Sequence, residues 1–182
     1  TAGEIHARTV CDDTITATAV QFEKTAIRTA RVVLDDFPNS REAGRELARQ
    51  LYCPGLAHIL VISDGVRVNG SELTKGLGDV APSNVSITGG LSGDGARFQH
   101  TLVCDGDHCR SGTIVGVGLV GDRLRVNFSS GGGWSPFGPQ RAITRSTANV
   151  LYELDGEPAL SVYKRYLGDY AAQLPSSGLL FP

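Results

Sequence analysis

Residues 58–88 constrain the fold more than any other part of the chain, because they read strand, helix, strand. Residues 58–63, HILVIS, form an unbroken apolar run. Runs of this kind belong to strands covered on both faces in the middle of an α/β sheet. Asp64-Gly65 turns the chain at the end of that run. Asn69 followed by Glu72 has the spacing of a capping box and predicts a helix over 71–79. Residues 85–88 predict another short strand. A strand, a helix and a strand in that order make a parallel crossover unit. The two strand exits, Ser63-Asp64-Gly65 and Gly89-Gly90, then open at one edge of the sheet, where ligands bind in open α/β sheets.

The flanking segments fill in the rest. Residues 14–22 alternate Thr, Ala and larger apolar residues and predict a strand, and 26–34 predict a second one after a turn at 23–25. Asn39 with Glu42 repeats the capping-box spacing, opening a helix over about 40–52 with a stripe at Ala43, Leu47 and Leu51. Beyond residue 97, strands at 98–104, 109–120 and 124–129 predict an antiparallel meander. Residues 129–139 form an irregular loop that holds the single Trp, Trp134. Strands follow at 141–145 and 149–154, then a helix over 157–170 and a linker at 175–178. The expected fold class is α/β in the mixed α+β sense. It has a mixed sheet with one parallel βαβ crossover and an antiparallel meander, and helices packed on the sheet.

Composition excludes several classes of function. The chain has 182 residues, 41% of them hydrophobic, which suits one soluble domain with part of a second. Its 17 Lys and Arg are scattered among 19 Asp and Glu, so no basic patch marks a nucleic-acid partner. No run of roughly 18 apolar residues predicts a membrane span. The absence of Met and the start at Thr1 predict a fragment or a chain with its front processed off. Free thiols are expected at Cys11, Cys53, Cys104 and Cys109. The alternative for Cys104 and Cys109, which flank a hairpin turn, is a disulfide or a metal pair with His108.

The segment ITGGLSGDG (87–95) carries four glycines in nine residues. So bare a backbone suits close approach of main-chain N–H groups to a ligand or to another chain segment; the plain alternative is a wide turn between strands. It lacks the G-x-G-x-x-G spacing, no Walker A motif occurs, and Asp94 would repel a phosphate. Ser63 sits at a strand end, but no G-x-S-x-G elbow supports it as a nucleophile. None of His6, His58, His100 and His108 falls in a motif. Asp64, preceding Gly, fits turn hydrogen bonds to backbone N–H groups. Trp134 either plugs the core or walls a pocket; the Ser and Gly around it favour the pocket wall.

Several segments, in order along the chain, resemble FIST sensor domains. They are Thr1-Ala2-Gly3-Glu4-Ile5; Ser63-Asp64-Gly65 with Asn69-Gly70-Ser71-Glu72-Leu73; and Gly89-Gly90-Leu91-Ser92-Gly93-Asp94 with Phe98. Further along come Gly133-Trp134-Ser135-Pro136 with Thr144, Asn149, Tyr152 and Leu154, then Glu157-Pro158-Ala159-Leu160 with Tyr163, Tyr166, Leu167 and Phe181-Pro182. The resemblance implies an N-terminal FIST-like region over 1–155, incomplete at its front, and the start of a C-terminal one over 156–182. It implies a cytoplasmic, non-enzymatic ligand-sensing input module of bacterial and archaeal signal transduction. Such a module acts with a histidine kinase, a chemotaxis receptor or a diguanylate cyclase and binds a small ligand such as an amino acid. Some relatives look like haem-binding nitric oxide sensors, which makes haem the alternative cofactor. A hydrolase-like enzyme using Ser63 or a Cys is the second alternative. The expected ligand-binding residues are Ser63, Asp64, Gly89, Gly90, Gly93, Asp94, Arg97 and Trp134, with no catalytic residue and no metal ligand. Asp94 and Arg97 suit a zwitterion, taking its ammonium and its carboxylate; otherwise Asp94 caps its own turn and Arg97 is solvated. Trp134 is expected beside residues 89–95.

Overall fold

Two asparagines start the two helices of the first unit. Asn39 Oδ1 accepts from the Glu42 amide at 3.0 Å and opens α1 (Ser40–Leu51). Asn69 Oδ1 accepts from the Glu72 amide at 3.1 Å and opens α2 (Gly70–Val80). Each bond satisfies a first-turn N–H that has no partner inside the helix. The structure is a computed structural model that describes residues 3–129, 131 and 133–181. It forms two compact units, 1–128 and 129–182. Thr1, Ala2 and Pro182 of the resembling segments, and Ser130 and Gly132 of the expected 129–139 loop, lie outside the described residues.

The strands of the first unit are β1 (Glu4–His6), β2 (Thr9–Cys11), β3 (Ala26–Val33), β4 (Leu56–Asp64), β5 (Ser86–Ser92), β6 (Val103–Asp105), β7 (His108–Arg110) and β8 (Thr113–Val120). The main sheet has the order β3-β8-β4-β5. β4 and β5 are parallel and joined through α2, while β8 is antiparallel to both β3 and β4. The fold is therefore the expected mixed sheet with helices on it, and its parallel crossover joins the interior strand β4 to the edge strand β5. β1–β2 and β6–β7 are separate hairpins.

α1 and α2 cover one face of this sheet. Leu47, Leu51, Ile59, Leu77 and Ile114 are fully buried between them, the centre of a core that also holds Val32, Val61 and Leu73. At roughly 1.5–3 kcal/mol per buried aliphatic side chain, this layer is the main stabilising contribution of the unit. The helices meet backbone to backbone: a Cβ on Gly76 would lie 2.0 Å from the Arg41 carbonyl oxygen. Arg41 and Arg45 then both reach Asp79 across the helix pair, each at 2.8 Å.

Several expectations need correction. The 58–63 strand is interior, but only one of its faces is fully covered; on the other, His58 is buried and the two residues after it in register are not. Ile59 and Val61 are buried while Leu60 and Ile62 are 40% and 41% exposed. An unbroken apolar run records what both faces tolerate, not what covers them. Residues 14–22 form no strand and are mostly exposed, so β3, paired on one side with β8, stays an edge strand. The antiparallel part is not a continuous meander over 98–129. The amides of Phe98, Gln99 and His100 are taken by Asp94, and Ser111 and Gly112 are drawn to Asp64, so neither stretch can enter a ladder; 124–129 is also irregular. Cys104 and Cys109 are not free thiols but a disulfide across the β6–β7 pair, which also removes their sulfurs from any metal site with His108. Cys11 and Cys53 are free.

The second unit holds β9 (Ile143–Thr147), β10 (Val150–Leu154) and β11 (Glu157–Pro158) in an antiparallel sheet of order β11-β10-β9, followed by α3 (Ala159–Leu167). The expected helix over 157–170 is shorter. Pairing with β10 claims its first two residues, and Gly168, at φ 56°, ends it. The expected linker at 175–178 is instead part of a 3₁₀ turn, Ser176–Leu179.

Candidate functional site

The glycine-rich stretch begins inside the sheet rather than after it. Gly89 and Gly90 belong to β5 and lie opposite Val61 and Ile62 of β4. A Cβ on Gly89 would sit 1.8 Å from the Val61 carbonyl oxygen, whereas one on Gly90 would meet nothing within 4 Å. The first glycine is thus required by another chain segment, and the second leaves open space. This corrects the expected strand end at residue 88: the strand runs on to Ser92, and only 93–95 turn away.

The parallel register places Asp64 opposite Ser92, so both strands finish at one edge as expected. Asp64 is wholly buried there and fully engaged. Its Oδ1 accepts from the amides of Val66 at 2.8 Å and Arg67 at 3.0 Å and from the Thr101 hydroxyl at 2.5 Å. Its Oδ2 accepts from the Ser111 hydroxyl at 2.5 Å and the Gly112 amide at 2.6 Å. Burial opposes the charge, but the bonds from Ser111, Thr101, Gly112 and Arg67 outweigh it and hold the carboxyl far below the usual aspartate range. Asp64 ties three segments together around the strand exit and has no acceptor left for a ligand.

Asp94 behaves similarly. Its oxygens accept from the amides of Phe98 at 3.0 Å, Gln99 at 2.8 Å and His100 at 3.0 Å. The Gln99 amide in particular lowers its pKa, against the cost of burial. Arg97 beside it is exposed, and Gly93 is half-buried between β5 and this turn.

Next to the strand exits lies a cavity of about 220 Å³ between α2 and the edge strand β5. Ser63, Gly89 and Gly90 line it, together with Gly70, Leu73 and Leu91. Of the expected site residues, the structure brings these three together; Asp64, Gly93, Asp94 and Arg97 do not line the cavity. No Asp, Glu, Lys or Arg lines it. The Ser63 hydroxyl is buried without a hydrogen-bond partner, an arrangement that usually costs about 1–3 kcal/mol. The α2 residues were legible in Asn69-Gly70-Ser71-Glu72 as a helix start; that this start borders the strand exit follows from the crossover.

His58 gains a setting that no motif signalled. Its Nδ1 lies 2.8 Å from the Ser86 hydroxyl and its Nε2 3.0 Å from the Thr88 hydroxyl. Burial lowers its pKa despite the bond to Ser86. It alternates with Ile59 along β4 and so points to the sheet face opposite Ser63.

Trp134 belongs to the second unit and lines a cavity of about 610 Å³ there. Phe137, Tyr163, Tyr166, Tyr170 and Phe181 share the lining. Phe137 and Tyr166 meet edge to face at 6.1 Å, and the Arg141 guanidinium lies 5.6 Å from the Tyr166 ring centre. Trp134 is 66% exposed, a wall rather than a core plug within its unit.

Among known proteins, a model of the FIST N domain matches residues 1–157. An uncharacterized protein of Methanocaldococcus jannaschii, MJ1623, is 30% identical over 87 residues, which is 47% of this chain and 17% of that protein. This chain therefore spans a small part of that relative's length. No solved structure matches.

Proposed function

Because the chain belongs to the FIST family, matched by its N domain over residues 1–157, we propose that the cavity between α2 and β5 is its ligand-sensing site. FIST domains sense small ligands in signalling proteins. The observation that carries the assignment is the Ser63 hydroxyl, buried without a partner in a cavity at the joint exits of two parallel strands. Crevices at such exits are the usual ligand sites of open α/β sheets. The ligand is a small metabolite of amino-acid size, since the cavity is smaller than the roughly 300–1,000 Å³ of drug-sized sites.

In this reading Ser63, Gly89 and Gly90 touch the ligand. Asp64 and Asp94 shape the strand exits through the amides they hold, while Gly93 and the exposed Arg97 lie in the turn that follows β5. The occupied state is passed to a histidine kinase, a chemotaxis receptor or a diguanylate cyclase in the cytoplasm. The boundary at 155/156 between N-terminal and C-terminal family regions belongs to the same proposal.

The haem alternative finds poor support in the side chains. Both nitrogens of His58 are engaged by hydroxyls, Cys104 and Cys109 are joined, and His6, His100 and His108 are exposed. Neither described cavity is lined by His or Cys. For Ser63 the hydrolase alternative finds no base beside the nucleophile: Ser63 Oγ has no hydrogen-bond partner, and His58 points to the other sheet face.

The test is an amide-resolved NMR titration with a panel of amino acids and small organic acids. Saturable shifts at Ser63, Gly89 and Gly90 are expected. Shifts confined to Trp134 and Tyr166 would move the site to the aromatic cavity and overturn this assignment.

A further inference from the structure

Resting on the reading of this cavity as the ligand site, we propose that it takes a short-chain monocarboxylate. The carboxylate is held by the Gly70 amide at the start of α2 and the Ser63 hydroxyl, and the tail lies on Leu73, Ile87 and Leu91.

Two independent observations converge on an anion. The first is the N-terminus of α2, an eleven-residue helix whose Gly70 lines the cavity. Of its first amides, that of Glu72 is taken by Asn69 Oδ1 and that of Leu73 by the Asn69 carbonyl. Those of Gly70 and Ser71 have no protein partner among the described residues. Such amides, with the positive end of the helix dipole, form a site for negative charge. The second observation is the Ser63 hydroxyl, 1% exposed, lining the same cavity and bonded to nothing. A carboxylate oxygen would accept from it and remove the cost of leaving it unpaired.

The rest of the lining decides what the anion carries. Leu73, Ile87 and Leu91 offer an apolar wall. No carboxylate side chain faces the cavity to receive an ammonium group. The carboxylates nearest in sequence to the lining are engaged elsewhere: Asp64 accepts from five donors, Glu72 pairs with Lys75 at 2.7 Å, and Asp94 accepts from three amides. A zwitterion would bury an unpaired positive charge, which is strongly unfavourable. An amino acid is therefore a worse ligand than the same acid without its amino group.

The 182-residue chain is titrated with butyrate, butyramide and 2-aminobutyrate at neutral pH, followed by amide NMR. Butyrate is expected to shift Gly70, Ser71, Gly89 and Gly90 saturably. Butyramide and 2-aminobutyrate should each bind about tenfold more weakly or worse, the usual effect of losing a charge-assisted hydrogen bond or of burying a bare charge. Ser63→Ala should weaken butyrate about tenfold without lowering the melting temperature of the free chain, since it removes an unpaired buried hydroxyl. Equal binding of butyramide overturns the anion anchor. Tighter binding of 2-aminobutyrate at the same amides overturns the monocarboxylate class but leaves the cavity as the ligand site. Shifts for none of the three at these amides overturn the proposal. The amino-acid and organic-acid panel then decides separately whether the cavity is a ligand site at all.

Discussion

Asp64 shows what one side chain does at a strand exit. Five donors converge on it from residues 66, 67, 101, 111 and 112. Asp64→Ala would take away the acceptor these donors share, with those of Thr101 and Gly112 fully buried, so it should cost about 3–5 kcal/mol in urea unfolding, near the top of the range for one substitution. The pH dependence follows from the direction of its shift. The folded-state pKa lies below that of the unfolded chain, so the folded state binds the proton less readily. The contribution is complete above the ordinary aspartate value of about 3.9 and is lost as pH falls below it. Asp64→Asn should be less stable at pH 7, and the gap to the native chain should narrow as pH drops from 4 toward 2. A gap that does not change with pH would mean that the charge of Asp64 contributes nothing. The sequence showed an Asp before a Gly and hence a local turn. It did not show the partners at 101, 111 and 112, because contacts across nearly fifty residues leave no local pattern.

At the scale of elements, the capping asparagines were fully legible, since Asn-x-x-Glu is a local signal with a local cause. The close approach of α1 and α2 was not. Gly76 and Gly78 look equivalent in the sequence, yet a Cβ on Gly76 would strike the Arg41 carbonyl at 2.0 Å while one on Gly78 would meet nothing within 4 Å. Gly76→Ala should therefore lower stability by about 2–3 kcal/mol through overpacking. Gly78→Ala should raise it by about 0.5–1 kcal/mol, the ordinary gain in a helix interior. Melting temperatures of the two variants should move in opposite directions; movement in the same direction would show that the helices can separate at little cost. The glycines of β5 teach the same lesson. Gly89 is required by the carbonyl of Val61, and Gly90 is not.

For the whole molecule, the buried cluster around Leu47, Ile59 and Ile114 draws all its residues from the first unit. A chain of residues 1–128 should therefore fold by itself, with a single cooperative transition in circular dichroism and amide shifts for Ile59 and Ile114 like those of the full chain. A broad, non-cooperative transition would mean that this core depends on residues beyond 128. The helix starts, the parallel crossover, the shared exit of its two strands and the residues that resemble a FIST domain could all be read from the amino-acid order. Each of these rests on short-range chemistry: capping, apolar periodicity, turn residues and the short reach of a crossover. The folded chain was needed to see that β8 returns between β3 and β4, that only one face of the interior strand is fully covered, and that Asp64 and Asp94 accept from main-chain amides. It alone decided that Ser63 stands unpartnered beside the start of α2. Those outcomes turn on which distant groups compete for a given donor, and that competition is settled only when the chain has folded.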